Sequence, residues 1–154
     1  MNEFLISTEV IDWRHPAIGA QAERLAGGST LDTARRSFEF VRDEIRHSGD
    51  HGDNPVTWRA SEGLAHKTGI CYAKSHLLAA LLRAQGLPAG LCYRRLLVID
   101  GESPRYALHG LAAVALADHG WFRVDPRGNK PGIDAQFTPP IERLAFAIAK
   151  PGEA

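Results

Sequence analysis

The stretch Thr68-Gly69-Ile70-Cys71-Tyr72-Ala73-Lys74 runs into Leu77-Leu78-Ala79-Ala80-Leu81-Leu82 and stops at Gly86-Leu87-Pro88. A polar, glycine-containing loop turns here into a strongly apolar helix, with Cys71 at the junction. A cysteine in the first helical turn sees the partial positive charge of unpaired backbone N–H groups. That field favours thiolate over thiol and makes the sulfur a nucleophile near neutral pH. Cysteine is also among the most buried residue types, so position alone favours a structural thiol. The residues downstream change that reading.

Apolar residues nearly encircle the helix from Ile70 to Ala84, which predicts a central, mostly buried element. Upstream, Pro16 to Ala26 reads as a helix with Pro near its start and Gly27-Gly28 closing it. Ser29 or Thr30 caps a second helix, whose Leu31, Ala34, Phe38, Val41 and Ile45 recur at spacings of three and four and form one buried stripe. His47-Ser48-Gly49-Asp50-His51-Gly52-Asp53 then reads as a polar, glycine-broken loop. Beyond Pro88 the pattern turns to strand: Leu91–Ile99, a turn at Asp100-Gly101, Ala107–Ala117, a turn at Asp118-His119-Gly120, and Trp121–Asp125. Consecutive strands with short turns predict an antiparallel sheet. The tail, with Pro126, Pro131, Pro139 and Pro140, predicts an ordered wrap around the core. The expectation is one domain over 1–154 of class α+β.

Composition narrows the function classes. Eighteen basic residues balance eighteen acidic ones, which gives no field for nucleic acid or an anionic membrane. The longest apolar runs, Leu77–Leu82 and Leu111–Ala117, fall far short of a membrane span. Met1-Asn2-Glu3-Phe4-Leu5-Ile6-Ser7 lacks the basic start and apolar run of a secretory signal, and two cysteines make no disulfide framework. The expected home is a reducing cytoplasm.

A thiolate nucleophile needs a base, and the base needs a third group to fix its tautomer. His109 precedes the Asp118-His119-Gly120 turn and Asp125 follows it, so an antiparallel pair puts both at the same end of the sheet. Four residues of register mismatch would separate them by roughly 13 Å.

Cysteine on a helix, then histidine, then aspartate on adjoining strands resembles the transglutaminase-like superfamily, whose core is a papain-like cysteine fold. The resemblance covers roughly Trp58 to Asn129. It is carried by Gly69-Ile70-Cys71-Tyr72-Ala73-Lys74-Ser75-His76-Leu77-Leu78, Leu81-Leu82-Arg83-Ala84-Gln85-Gly86-Leu87-Pro88-Ala89, His109-Gly110 and Gly120-Trp121-Phe122-Arg123-Val124-Asp125-Pro126. It implies Cys71 as nucleophile, His109 as general base and acid, and Asp125 as orienting carboxylate. The chain departs from the family at Tyr72, where Trp is frequent, and at Asp125-Pro126-Arg127-Gly128-Asn129, where Asp-Pro-Thr is frequent. Both departures bear on substrate preference. The Cys71 N–H is one expected oxyanion donor. No Gln precedes it closely, so the second is sought at Asn54, Thr57 or Trp58; Asn54, Trp58 and Tyr72 are the expected substrate-facing set.

The implied chemistry is attack by Cys71 on a peptide or other amide, a thioester intermediate, and release to water or an amine, with hydrolysis favoured. It needs no cofactor and no metal. A non-catalytic binding module on the same fold is the alternative, and an acyltransferase using a carrier thioester is a third reading. His47, Asp50, His51 and Asp53 hold metal-ligand side-chain types. However, Gly49 and Gly52 break the helix that would align His47 with His51, so a solvated loop able to line a cleft is expected instead. Lys74, Ser75 and His76 are expected on the exposed part of the cysteine helix, with His76 the weakest alternative base. Cys92 is expected in the core, and Arg94, Arg95, Arg123 and Arg127 on the surface.

Overall fold

A computed structural model describes residues 2–99 and 101–154. After a 3-10 turn at Asn2–Leu5 come α1 (Pro16–Leu25), α2 (Thr30–Glu44), β1 (Arg46–His47), α3 (Ser48–His51), α4 (Ala60–His66), β2 (Thr68–Gly69), α5 (Cys71–Ala84), β3 (Ala89–Ile99), β4 (Arg105–Leu116) and β5 (Gly120–Val124). The class is α+β, as read from the sequence. Asp100 of the expected Asp100-Gly101 turn lies outside the described residues.

Helix α5 is the centre of the molecule. Leu77, Leu78, Ala79, Ala80, Leu81 and Leu82 are all at most 1% exposed, because α1, α2 and α4 pack on it while β3 and β4 also lie against it. Each buried leucine contributes about 1.5–3 kcal/mol of transfer free energy. The helix ends where Gly86 takes φ +75°. The Gly86 N–H then reaches Arg83 O and the Leu87 N–H reaches Leu82 O, at 3.0 Å each. This pair of bonds satisfies the last carbonyls in a Schellman motif. On α2, the Ser29 hydroxyl accepts from Asp32 N at 3.1 Å, and Ala34, Phe38, Val41 and the following Ile45 are buried on the predicted stripe.

The sheet is antiparallel in the order β3-β4-β5, with Arg94 opposite His109 and Ala112 opposite Val124. The first four residues of β4 are exposed, and from His109 onward the strand enters the core. His109 therefore stands at the mouth of the packed region. The chain from 126 onward wraps the core, contributing Ala135, Phe137 and Ala145 to it. Arg95 pairs with Ala154 by two backbone hydrogen bonds, 2.7 and 3.1 Å.

Three local expectations need correction. Lys74 and Ser75 are each only 1% exposed, not on a solvated face. The Lys74 ammonium caps the C-terminal end of α2, donating to Arg42 O at 3.2 Å and also to Ile45 O. Cations suit that end of a helix, although burial pulls this amine down to about 7. Ser75 folds its hydroxyl back onto Cys71 O at 2.8 Å, which satisfies it without solvent. Cys92 is half-buried rather than core. The expected His47–Asp53 loop holds a parallel pairing, with His47 opposite Gly69, followed by the single turn α3, which Gly52 closes at φ +65°. Pairing across 22 residues overrode the local glycines, and local pattern carries no information about such pairing.

Candidate active site

Cys71 is the first residue of α5, and Ile70 before it makes no side-chain cap hydrogen bond. The loop feeding the helix approaches closely. A Cβ on Gly69 would lie 2.8 Å from Ala73 Cβ and 3.0 Å from Thr57 Oγ1, so only glycine fits there without displacement. On the sheet side Gly110 has the same role. A Cβ there would meet Tyr72 Cδ1 at 2.9 Å and Tyr72 Cα at 3.3 Å. The absent side chain lets β4 close on α5, and the Gly110 N–H then points at Cys71 Sγ from 3.5 Å. Tyr72 locks the junction, its hydroxyl donating to Leu108 O at 2.7 Å.

His109 and Asp125 meet beneath this junction, Nε2 to Oδ2, at 2.8 Å, with side chains 7% and 1% exposed. Continuing the register from Ala112–Val124 places Asp125 beside Leu111, two residues from His109 and on the same face, within reach of a diagonal cross-strand pair. Asp125 is fully satisfied: Oδ2 also accepts from Ala145 N at 3.1 Å, and Oδ1 from Arg127 N at 3.2 Å. A carboxylate flooded with donors can only accept, so His109 Nε2 carries a proton and Nδ1 is left for the sulfur. Phe146 stands edge-on to the His109 ring at 5.0 Å and limits its rotation.

The electrostatics separate the two groups in the sense a nucleophile and base require. Burial opposes charge on Cys71. Hydrogen bonds from His109, His47 and the Gly110 N–H, with the charge on His109, outweigh it and bring the thiol down to about 6. Burial likewise opposes charge on His109, but Asp125 and then Cys71 outweigh it and raise the imidazole to about 9. A thiolate–imidazolium pair is thus the resting form between those values. Burial pushes the Cys92 thiol up instead, and a protonated thiol is a poor nucleophile.

The other expected positions fall elsewhere. Among the described residues no hydrogen bond joins Asn54, Thr57 or Trp58 to Cys71. Thr57 is buried and donates to Thr68 O at 2.8 Å. Trp58 is half exposed, and its carbonyl is held by His76 Nδ1 at 2.7 Å, which engages His76 away from the sulfur. Arg123 forms an ion pair with Glu142 at 2.7 Å. Arg127 is buried and grips Asp50 with both terminal nitrogens at 2.8 and 2.9 Å. Asp50 also accepts from Lys130 at 2.6 Å, and Arg127 foremost holds its carboxyl well below the usual carboxylate range. Sequence reading passed over His47 and the Gly110 N–H as sulfur partners. The only sign of the first was an Asp-rich segment beside a histidine, and of the second a glycine directly after His109.

A cleft of about 550 Å³ opens beside this group, with His109, His47 and Arg127 in its wall and apolar lining from residues including Leu96, Leu97, Leu108 and Phe146. Residues 19–126 match the family model described as the transglutaminase-like superfamily. A candidate cysteine protease from Cytophaga hutchinsonii superposes with a TM-score of 0.61 at 16% identity, over 82% of this chain and 41% of that one. The periplasmic domain of TgpA from Pseudomonas aeruginosa superposes with a TM-score of 0.58 at 20% identity, over 72% of this chain and 42% of that one. The chain thus spans about two fifths of the length of each. No curated protein matches the sequence. With the family model covering most of the chain and both structures sharing its helix-on-sheet architecture, the protein belongs to the transglutaminase-like superfamily.

Proposed function

We propose that the protein is a thiol-dependent amide hydrolase in which Cys71 is the nucleophile, His109 the general base and acid, and Asp125 the carboxylate that orients His109. The observation that carries this reading is the 2.8 Å His109–Asp125 bond, which leaves one imidazole nitrogen for a thiol lowered to about 6. The Cys71 sulfur attacks the amide carbon, a C–S bond forms, and the carbonyl π pair moves onto oxygen. The carbonyl re-forms as the C–N bond breaks, and the His109 imidazolium gives its proton to the departing nitrogen. Water then gives a proton to the neutral imidazole and attacks the thioester. The C–S bond breaks, the acid leaves, and the ion pair returns. Every role falls to a protein group, and the apolar wall of the cleft suits an acyl portion with aliphatic or aromatic character. An amine in place of water gives transfer instead of hydrolysis.

Screening peptides and amide conjugates against the protein and its Cys71→Ala variant tests the proposal. The expected result is turnover by the parent alone, retained in EDTA with a reducing agent. A Cys71 that resists electrophiles, together with no turnover, would leave the binding-module alternative standing. Turnover abolished by chelation and restored by a divalent ion would overturn the all-protein mechanism.

A further inference from the structure

We propose that His47 is a further catalytic residue, the side-chain donor to the oxyanion formed when Cys71 attacks. The inference rests on the thiol acyl chemistry proposed above and names a component the triad lacks.

His47 comes to the sulfur from a different element than His109. It ends β1, directly opposite Gly69, two residues ahead of Cys71. That places it beside the N-terminal end of α5, where Cys71 is the first helical residue and no side chain caps the helix. His47 and His109 line the same cleft. The two rings differ in what holds them. Asp125 commits one nitrogen of His109, whereas His47 Nδ1 is buried with no hydrogen-bond partner among the described residues. Asp50 Oδ2 lies 3.7 Å from that nitrogen, beyond hydrogen-bond length, and Asp50 is already held by Arg127 and Lys130. A buried polar group left unpaired in the resting protein is costly, so it calls for a role. A developing oxyanion beside the sulfur would supply the missing acceptor, and it exists only during the reaction. His47 is also among the groups that favour the Cys71 thiolate, in keeping with its place in the same cleft wall as His109. On attack the negative charge passes from sulfur to the adjacent carbonyl oxygen, and a donor already at the sulfur is within a short shift of it.

Asp50, Arg127 and Lys130 then act as positioning residues. Their network sets the place of α3 and so of His47. It also gives a use to Arg127, where the chain departs from the Asp-Pro-Thr pattern of the family.

Two reactions of Cys71 separate this role from simple support of the thiolate. Acylation by p-nitrophenyl acetate passes through an oxyanion, whereas alkylation by iodoacetamide does not. Both are measured at a pH well above the lowered Cys71 value on the parent, His47→Phe, His47→Ala and His47→Gln, each checked by circular dichroism. The expected result is acylation reduced roughly 10²–10³-fold in the Phe and Ala variants. Alkylation stays within about threefold of the parent, and Gln, which keeps an N–H donor, recovers part of the acylation rate. If acylation and alkylation fall together, or neither falls, the oxyanion role is overturned. Should one donor-free variant misfold, the other and the Gln variant decide. A parent protein that is alkylated at Cys71 yet never acylated would instead sink the acyl-transfer reading itself, and that failure shows before any variant is made.

Discussion

Two histidine–aspartate pairs stand beside one sulfur, and the difference between them lies in burial and partners rather than residue type. His109 and Asp125 meet at 2.8 Å with side chains 7% and 1% exposed, whereas His47 and Asp50 stand 3.7 Å apart at 16% and 22%. Asp125 receives donors from the His109 imidazole and two backbone N–H groups and, among the described residues, from no lysine or arginine. Its charge is therefore spent on His109, and the imidazole rises to about 9. Asp50 is shared between Arg127 and Lys130, and His47 stands beyond hydrogen-bond length of it. The same two side chains thus suit a proposed proton shuttle where the carboxylate is dedicated, and a proposed oxyanion donor where it is shared.

Removing the centre of the comparison has the largest expected effect. Cys71→Ala and His109→Ala should each lower turnover by roughly 10⁵–10⁶-fold, as read by amide hydrolysis once a substrate is found. Loss below tenfold in either would break the assignment.

The dedicated pair is tested next by Asp125→Asn. Turnover should fall by roughly 10⁴-fold through loss of the correct His109 tautomer, with the fold retained. Asp125→Ala should in addition lose about 3–5 kcal/mol in denaturant unfolding, since it strands His109 in a buried site. Equal effects of Asp125→Asn and Asp50→Asn would erase the distinction drawn between the two pairs.

The shared pair should respond more weakly. Asp50→Asn and Arg127→Met loosen the support of His47, and acylation should fall by about tenfold while the His109 pH dependence stays in place. A shift of that pH limb in either variant would show that the two pairs are one network.

The smallest effect is a titration. A thiol whose folded value is lowered ionises as pH rises through that value, so alkylation of Cys71 should climb near pH 6. Cys92, raised by burial, should react only at a pH above the ordinary thiol range. The His109 proton is lost as pH rises through about 9. Turnover should therefore be bell-shaped between those limits, checked by a rate–pH profile of the parent. A single limb with its midpoint in the ordinary thiol range would deny the resting ion pair.

What the sequence determined by itself is local and periodic. The apolar girdle of α5, the stripe on α2 capped by Ser29, and the strand–turn–strand run after Pro88 follow from spacings along the chain, and each forms within a residue or two of its expected bounds. The motifs around Cys71, His109 and Asp125 were legible through their resemblance to the family, whereas spacing alone left open the register that decides where His109 and Asp125 meet. Only tertiary structure decided what lies between distant segments. The parallel pairing of His47 with Gly69, the Arg127–Asp50 grip across 77 residues, and the burial of Lys74 on the carbonyls ending α2 depend on which surfaces meet after packing. A lysine in a helix pattern reads as solvated, and a histidine just ahead of two glycines reads as loop. Neither pattern records that a neighbouring helix end needs a cation, or that a thiol two residues past a paired strand lies within reach of an imidazole.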